Sequence, residues 1–156
     1  MNQPINVAII GAGIGGEHLN AYRQLPDRFH VKTVCDIDGT RAASIIGDDE
    51  IAVETDFDAV IADPAIDLVD ICLPPHLHFS NALLALKASK HVICEKPLAT
   101  SLREVDALMD EAARAGRKLF PVFQYRYGPA MDQLKALVDA GLAGKPFAAS
   151  LETHWN

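Results

Sequence analysis

The chain has 156 residues, a length that fits one domain or one domain with a small appendage. With a net charge of -7 it lacks the basic surface of a nucleic-acid binder, and 49% hydrophobic with 22% charged residues is ordinary for a globular protein with a real core. No apolar run approaches the roughly 20 residues of a membrane span, and no cationic segment precedes an apolar one as in a secretory signal.

Ile5–Ile10 reads as a first strand, short and rich in β-branched residues. It ends in Gly11-Ala12-Gly13-Ile14-Gly15-Gly16, and helix-compatible sequence follows from Ile14 to Leu25 until Pro26-Asp27. A Gly-x-Gly-x-x-Gly between a strand and a helix is the context of a phosphate-binding turn. Gly11 turns the chain off the strand, Gly13 allows backbone to approach a pyrophosphate, and Gly16 lets the helix pack closely on the strand. The exposed N–H groups of the helix start, with their partial positive charge, complete an anion site.

Val31–Asp36 is the second strand, and Asp36 lies twenty positions after Gly16, where a carboxylate accepts hydrogen bonds from an adenosine ribose. Asp38 is the expected cap of a helix through Ile46, closed by Gly47. A short strand near 51–55 and a brief helix over 56–62 follow. Leu68-Val69-Asp70-Ile71-Cys72-Leu73 is nearly all apolar, as a central parallel strand should be, and Pro74-Pro75 stops it.

The next helix spans about 79–88, with Leu83, Leu84 and Leu86 as its apolar contribution. His91–Cys94 is a strand, with Glu95-Lys96-Pro97 at its carboxyl end. Thr100 or Ser101 caps the next helix, with Ser101-x-x-Glu104 a capping-box pattern, and Leu102, Val105, Leu108, Met109 and Ala112 form a helical core stripe closed by Gly116. Residues 118–124 are the sixth strand. Pro129 begins a last helix, with Leu134, Leu137 and Val138 inward and Gly141 at its end. A further extended run covers 147–155.

Six alternations of strand and helix predict an α/β Rossmann fold: a doubly wound parallel sheet in the order 3-2-1-4-5-6. The expected division is a dinucleotide-binding domain over 1–125 and the start of a second, α+β domain over 126–156. Cys35, Cys72 and Cys94 lie near the ends of apolar runs without metal-ligand spacing, so reduced buried thiols and a cytoplasmic location are expected, with no metal.

Ligands of such sheets bind beyond the carboxyl ends of the strands. The glycines and Asp36 suit the adenosine and pyrophosphate half of a dinucleotide. Leu73, Pro74, Pro75, His76 and His78, then Glu95 and Lys96, then Gln124 to Tyr127, suit the nicotinamide half and the reacting carbon. Lys96 is the candidate catalytic residue, because removing hydride from an alcohol carbon requires a proton acceptor on the oxygen. The bland alternative is a solvent-facing lysine paired with Glu95. Arg126 is a candidate for phosphate or carboxylate, with a structural ion pair as the equal alternative. His18 has no evident partner and reads as a surface residue. Arg41 lies too far along its helix to be an obvious phosphate clamp, so Asp36 favours NAD(H) over NADP(H), with NADP not excluded.

Gly-Ala-Gly-Ile-Gly-Gly at 11–16, Cys-Asp-Ile-Asp at 35–38, Leu-Pro-Pro-His-Leu-His at 73–78, Lys-His-Val-Ile-Cys-Glu-Lys-Pro-Leu-Ala at 90–99, Tyr-Arg-Tyr-Gly-Pro at 125–129 and Gly-Leu-Ala-Gly-Lys-Pro-Phe at 141–147 together resemble the Gfo/Idh/MocA oxidoreductases. The resemblance runs from about Ile5 to Trp155. It implies an NAD(P)-dependent dehydrogenase of sugars, cyclitols or related polyols, and a second domain that covers the substrate and mediates homo-oligomerisation. It also places His78 near the cofactor. In such proteins an Asp/His pair in the second domain works beside the Glu-Lys-Pro lysine, and no residue here matches that pair. The chain by itself is therefore expected to bind dinucleotide weakly and to lack turnover. The competing reading is a non-catalytic dinucleotide-binding module, a sensor or partner subunit. A methyltransferase-like Rossmann protein is disfavoured by the glycine pattern and by Glu95-Lys96-Pro97.

Overall fold

The computed structural model of the chain describes residues 3–142 together with 144, 145, 147, 148 and 150. It divides into two compact units, Met1–Val122 and Phe123–Asn156.

The first unit is built on one parallel sheet. Its strands are β1 (Ile5–Ile10), β2 (Phe29–Cys35), β3 (Ala52–Glu54), β4 (Leu68–Ile71), β5 (His91–Cys94) and β6 (Leu119–Pro121), in the order β3-β2-β1-β4-β5-β6. The expected Rossmann order is therefore the observed one, with β1 and β4 flanking the point where the winding reverses. Helices α1 (Gly15–Arg23), α2 (Gly39–Ile46), α3 (Phe57–Ala62), α4 (His78–Lys87) and α5 (Leu102–Ala115) connect the strands. Val7, Ile9 and Leu68 join Leu19 and Tyr22 of α1 and Ala42 and Ile46 of α2 in one core. Ala8, Ile10, Val69 and Ile71 join Ala82, Ala85 and Leu86 of α4 and Leu108 and Ala112 of α5 in the other. Successive strand residues face opposite layers, so a strand covered on both sides must be apolar throughout, as β1 nearly is. Among the described residues no helix is long and apolar enough to cross a membrane.

The end signals act as their chemistry dictates. Asp38 caps α2 by accepting from the Thr40 and Arg41 N–H groups, and Ser101 caps α5 by accepting from Glu104. Gly47 and Gly116 take positive φ at the ends of those helices, at 67° and 64°. Cys35, Cys72 and Cys94 are free and buried.

Three expectations need correction. In α5, Leu108 and Ala112 are buried but Leu102 and Met109 are exposed. Those two are seven residues apart and share a stripe about 100° away from the Leu108 face, so the helix buries a narrower stripe than the sequence suggested. In α4, Ala82 and Ala85 form the buried face with Leu86, while Leu84 is exposed. The sixth strand is only Leu119–Pro121: the Val122 N–H makes a last bond to the Cys94 carbonyl, and a 3₁₀ turn over Gln124–Tyr127 follows the departure from the sheet.

The second unit contains that turn and α6 (Pro129–Asp139), with Pro129 in its first turn and Gly141 at a φ of 71° beyond its end. No residue of α6 is buried, and Leu134, Leu137 and Val138, expected to face inward, are exposed. The extended run expected over 147–155 lies largely outside the described residues, as do His154 and Trp155.

Candidate functional site

The parallel register brings Ile10, Cys35, Ile71 and Cys94 side by side as the last residues of their strands. The next residues, Gly11, Asp36, Cys72 and Glu95, therefore line one edge of the sheet. Backbone bonds hold that row: Gly11 N–H to the Cys35 carbonyl at 2.7 Å, Cys72 N–H to Ile10 at 2.7 Å, and Glu95 N–H to Ile71 at 2.9 Å.

The glycine turn is built for close approach. Gly11 has a φ of 99°, and a Cβ there would lie 2.6 Å from the Cys72 carbonyl oxygen, so both its conformation and its space exclude a side chain. A Cβ on Gly15 would lie 2.8 Å from Cγ2 of Ile9. On Gly16 it would make only ordinary contact, 3.6 Å from Cγ2 of Ile45. The tight contact between helix and strand thus belongs to Gly15 rather than to Gly16, and the packing glycine comes one residue earlier than the sequence motif suggested. Gly13 differs from these. It is exposed, and a Cβ added to it would meet nothing within 4 Å. Neither packing nor a left-handed backbone requires glycine there. Ile14, the half-exposed N-cap of α1, offers no side-chain acceptor to the first N–H groups of the helix.

Asp36 closes the other side of this turn. It is buried, and Oδ2 accepts from the Ala12 N–H at 2.8 Å. Oδ1 accepts from the Asp38 N–H at 2.9 Å and from Arg41 Nη2 at 2.7 Å. Burial opposes the charged carboxylate, but these backbone bonds and then Arg41 outweigh it and hold its pKa below the ordinary value. Arg41 is engaged with this carboxylate. The first turn of α2 folds its half-exposed guanidinium back onto Asp36. Ile37, directly after Asp36, is 92% exposed, an apolar platform at the mouth of the turn that sequence reading passed over.

Beyond β4, Leu73 is half-buried, Pro74 and Pro75 are exposed, and a 3₁₀ turn covers Pro75–Leu77. His78 is fully buried, with Nδ1 2.6 Å from the Pro97 carbonyl oxygen and Nε2 2.6 Å from that of Leu73. Both nitrogens are engaged inside the protein, so His78 ties the β4 loop to the turn after β5. In that turn the Lys96–Pro97 peptide is cis. Lys96 is exposed, and its backbone N–H donates to Glu95 Oε2 at 3.0 Å. The Lys96–Glu95 ion pair of the bland alternative does not form among the described residues. Glu95 Oε1 instead faces His18 Nε2 at 3.3 Å.

That contact corrects the reading of His18 as a surface residue. Its Nδ1 lies 2.8 Å from Oδ2 of Asp70, which is completely buried in β4 and also accepts from the Tyr22 hydroxyl at 2.9 Å. A signal was present in the sequence. A carboxylate inside an apolar central strand requires partners, and His18 and Tyr22 share one helix face at a spacing of four. Arg126 is exposed in the 3₁₀ turn of the second unit.

Residues 5–123 match the family described as "Oxidoreductase family, NAD-binding Rossmann fold". The chain is 30% identical over 154 residues to an inositol 2-dehydrogenase/D-chiro-inositol 3-dehydrogenase of Lactiplantibacillus plantarum, covering 96% of this chain and 44% of that protein. The crystal structure of an NAD binding oxidoreductase from Klebsiella pneumoniae superposes with a TM-score of 0.82 at 35% identity, over 92% of this chain and 40% of that one. The WlbA dehydrogenase from Chromobacterium violaceum, solved with NADH and UDP-GlcNAcA, gives a TM-score of 0.86 at 26% identity, over 92% and 42%. The chain belongs to the Gfo/Idh/MocA oxidoreductases, as an NAD-binding Rossmann domain, and spans about two fifths of the length of the relatives it matches.

Proposed function

We propose that the chain binds NAD(H) in the crevice over Gly11–Gly16 and serves an oxidoreductase that moves hydride between the nicotinamide and a carbon of a sugar, cyclitol or related polyol. The observation that carries this reading is Gly13, an exposed glycine whose missing side chain answers no demand of the protein itself. Space beside backbone N–H groups at an uncapped helix start is what a pyrophosphate requires. Gly11, Ile14, Gly15 and Gly16 shape that turn. Asp36 accepts from the adenosine ribose, and Ile37 gives the adenine an apolar surface. Leu73, Pro74 and Pro75 flank the nicotinamide, and His78 and Glu95 hold their loops in place. Arg126 takes a phosphate or carboxylate, and residues 126–156 begin the domain that covers the substrate.

NAD supplies the hydride acceptor or donor. The remaining chemistry is proton transfer, which this reading assigns to Lys96. The ammonium is on a flexible stem at the carboxyl end of β5, with no carboxylate within ion-pair distance among the described residues. As a free amine, its Nζ accepts the proton of the substrate hydroxyl during oxidation; as an ammonium it returns one during reduction. The inositol dehydrogenase and the nucleotide-sugar-bound WlbA among the similar proteins support a polyhydroxylated substrate.

A panel of inositols, hexoses and sugar acids, each offered with NAD and followed by NADH absorbance, tests this reading in the protein that carries this chain. Turnover with at least one member, lowered about 10²–10⁴-fold by Lys96→Ala, is expected. Binding of NADH without turnover on any member would favour the non-catalytic module.

A further inference from the structure

Two acidic side chains converge on one imidazole beneath the candidate site. Asp70, fully buried in β4, faces His18 Nδ1 at 2.8 Å, and Glu95, buried at the end of β5, faces His18 Nε2 at 3.3 Å. Asp70 has two further partners and Glu95 one. Cys72 Sγ donates to Asp70 Oδ1 at 3.7 Å. Asp70 Oδ2 accepts from the Tyr22 hydroxyl at 2.9 Å, and Glu95 Oε2 accepts from the Lys96 N–H at 3.0 Å. Cys72 lies against the same ring, its Sγ 3.4 Å from Nδ1. The result is a continuous path: Tyr22 hydroxyl, Asp70, His18, Glu95, Lys96 backbone. It begins on the helix that follows the glycine turn, runs over the face of β4 that this helix covers and ends at the peptide N–H of Lys96.

We propose that His18 is a positioning residue that locks the Glu95–Lys96 turn to helix α1, so that the proton-transferring lysine and the glycine turn are held as one unit. This inference rests on the role of Lys96 given above. The geometry makes the imidazolium the competent form. A neutral ring has one N–H, and two carboxylates on opposite nitrogens need two donors. The titratable groups facing the ring are Asp70 and Cys72 from the β4 side and Glu95 from the β5 side, with Tyr22 of its own helix bound to Asp70. Burial opposes the charged ring, but Asp70 and then Glu95 outweigh it and raise the His18 pKa above its ordinary value. When the ring loses its proton, one carboxylate loses its donor. Asp70 retains Tyr22, whereas Glu95 retains only the local bond to Lys96. The Glu95 side is therefore the one that relaxes.

The test is NMR of the chain labelled with ¹⁵N at histidine and lysine, titrated from about pH 5.5 to 9. The His18 ring signals identify its protonation, and the Lys96 amide reports the turn. Both are expected to inflect together, above the range of an ordinary histidine. Glu95→Gln keeps the size of the side chain and removes its charge. It is expected to lower the His18 midpoint and to abolish the Lys96 inflection. His18→Gln is expected to flatten the Lys96 profile as well; if that variant fails to fold, Glu95→Gln on the intact histidine carries the test. A His18 ring that titrates while the Lys96 amide stays flat overturns the proposal, because a merely structural ring would behave so. NADH titration of the same samples separates the two readings. Joint inflection without NADH binding supports the coupling and sinks the cofactor reading. NADH binding with a flat Lys96 amide sinks the coupling alone.

Discussion

The Asp36 carboxylate accepts a hydrogen bond from the backbone N–H of Ala12 at 2.8 Å, which ties the end of β2 to the middle of the glycine turn. One side chain therefore shapes the turn and presents charge at its rim. Its other oxygen is bound to Arg41.

This pairing predicts a cofactor preference. A carboxylate beside the ribose accepts from a 2′-hydroxyl and repels a 2′-phosphate, so NADH should bind more tightly than NADPH. Asp36→Ala removes the repulsion and releases Arg41 to meet a phosphate. The variant should bind NADH more weakly and narrow the gap between the two cofactors, measured by nicotinamide fluorescence. An unchanged ratio would show that the ribose lies elsewhere.

Asp36 also predicts an acid sensitivity. Its carboxyl titrates in the folded protein below the ordinary value of 3.8. Its contribution to stability is present above that ordinary value and is lost as pH falls through the depressed one. Wild type should therefore lose more melting temperature than Asp36→Asn as the pH is lowered from about 4 to about 2. Parallel curves from thermal melts would contradict the bonds drawn for Asp36.

The glycines should separate by function. Gly11→Ala forces a Cβ against the Cys72 carbonyl at a φ of 99°, and Gly15→Ala forces one against Ile9. Both should destabilise the fold by about 1–3 kcal/mol or more, read as a lowered denaturation midpoint. Gly13→Ala should leave the midpoint within about 1 kcal/mol, because its Cβ enters open space. Equal losses at all three positions would refute the distinction.

The thiols should be inert. Burial, followed by nearby carboxylates, pushes Cys35 up to about 11 and Cys94 up to about 12, and pushes Cys72 up as well. A disulfide reagent at about pH 8 should leave all three cysteines unmodified in the native protein and react with them in denaturant. Rapid native labelling of any one would show that its strand end opens.

The strand order, the row of residues at the carboxyl ends of the strands and the capping of α2 and α5 were legible because each rests on a local signal: apolar runs, glycine breaks, short polar side chains before helices. What escaped depends on tertiary pairing. Asp70 interrupts an otherwise apolar strand, and the partners that satisfy it, His18 and Tyr22, come from helix α1 packed on that face of the sheet. The Arg41–Asp36 pair depends on the first turn of α2, which brings the guanidinium back to the end of β2. Gly15 took the packing role assigned to Gly16 because the space beside Ile9 is fixed by the packing of α1 on β1, which a spacing rule does not contain. Leu102 and Met109 fitted a helical period but lie off the face that α5 buries.

The central claim is that the glycine turn, and not Lys96, holds the dinucleotide, and NADH titration of three forms of the chain tests it most directly. Wild type should enhance nicotinamide fluorescence saturably. Gly13→Val should lose that binding, since its side chain fills the space left for the pyrophosphate. Lys96→Ala should keep it within a few-fold, because backbone N–H groups hold the phosphates. Wild-type binding by Gly13→Val, or loss of binding in Lys96→Ala as complete as in Gly13→Val, would contradict the account and in the second case make Lys96 a cofactor anchor.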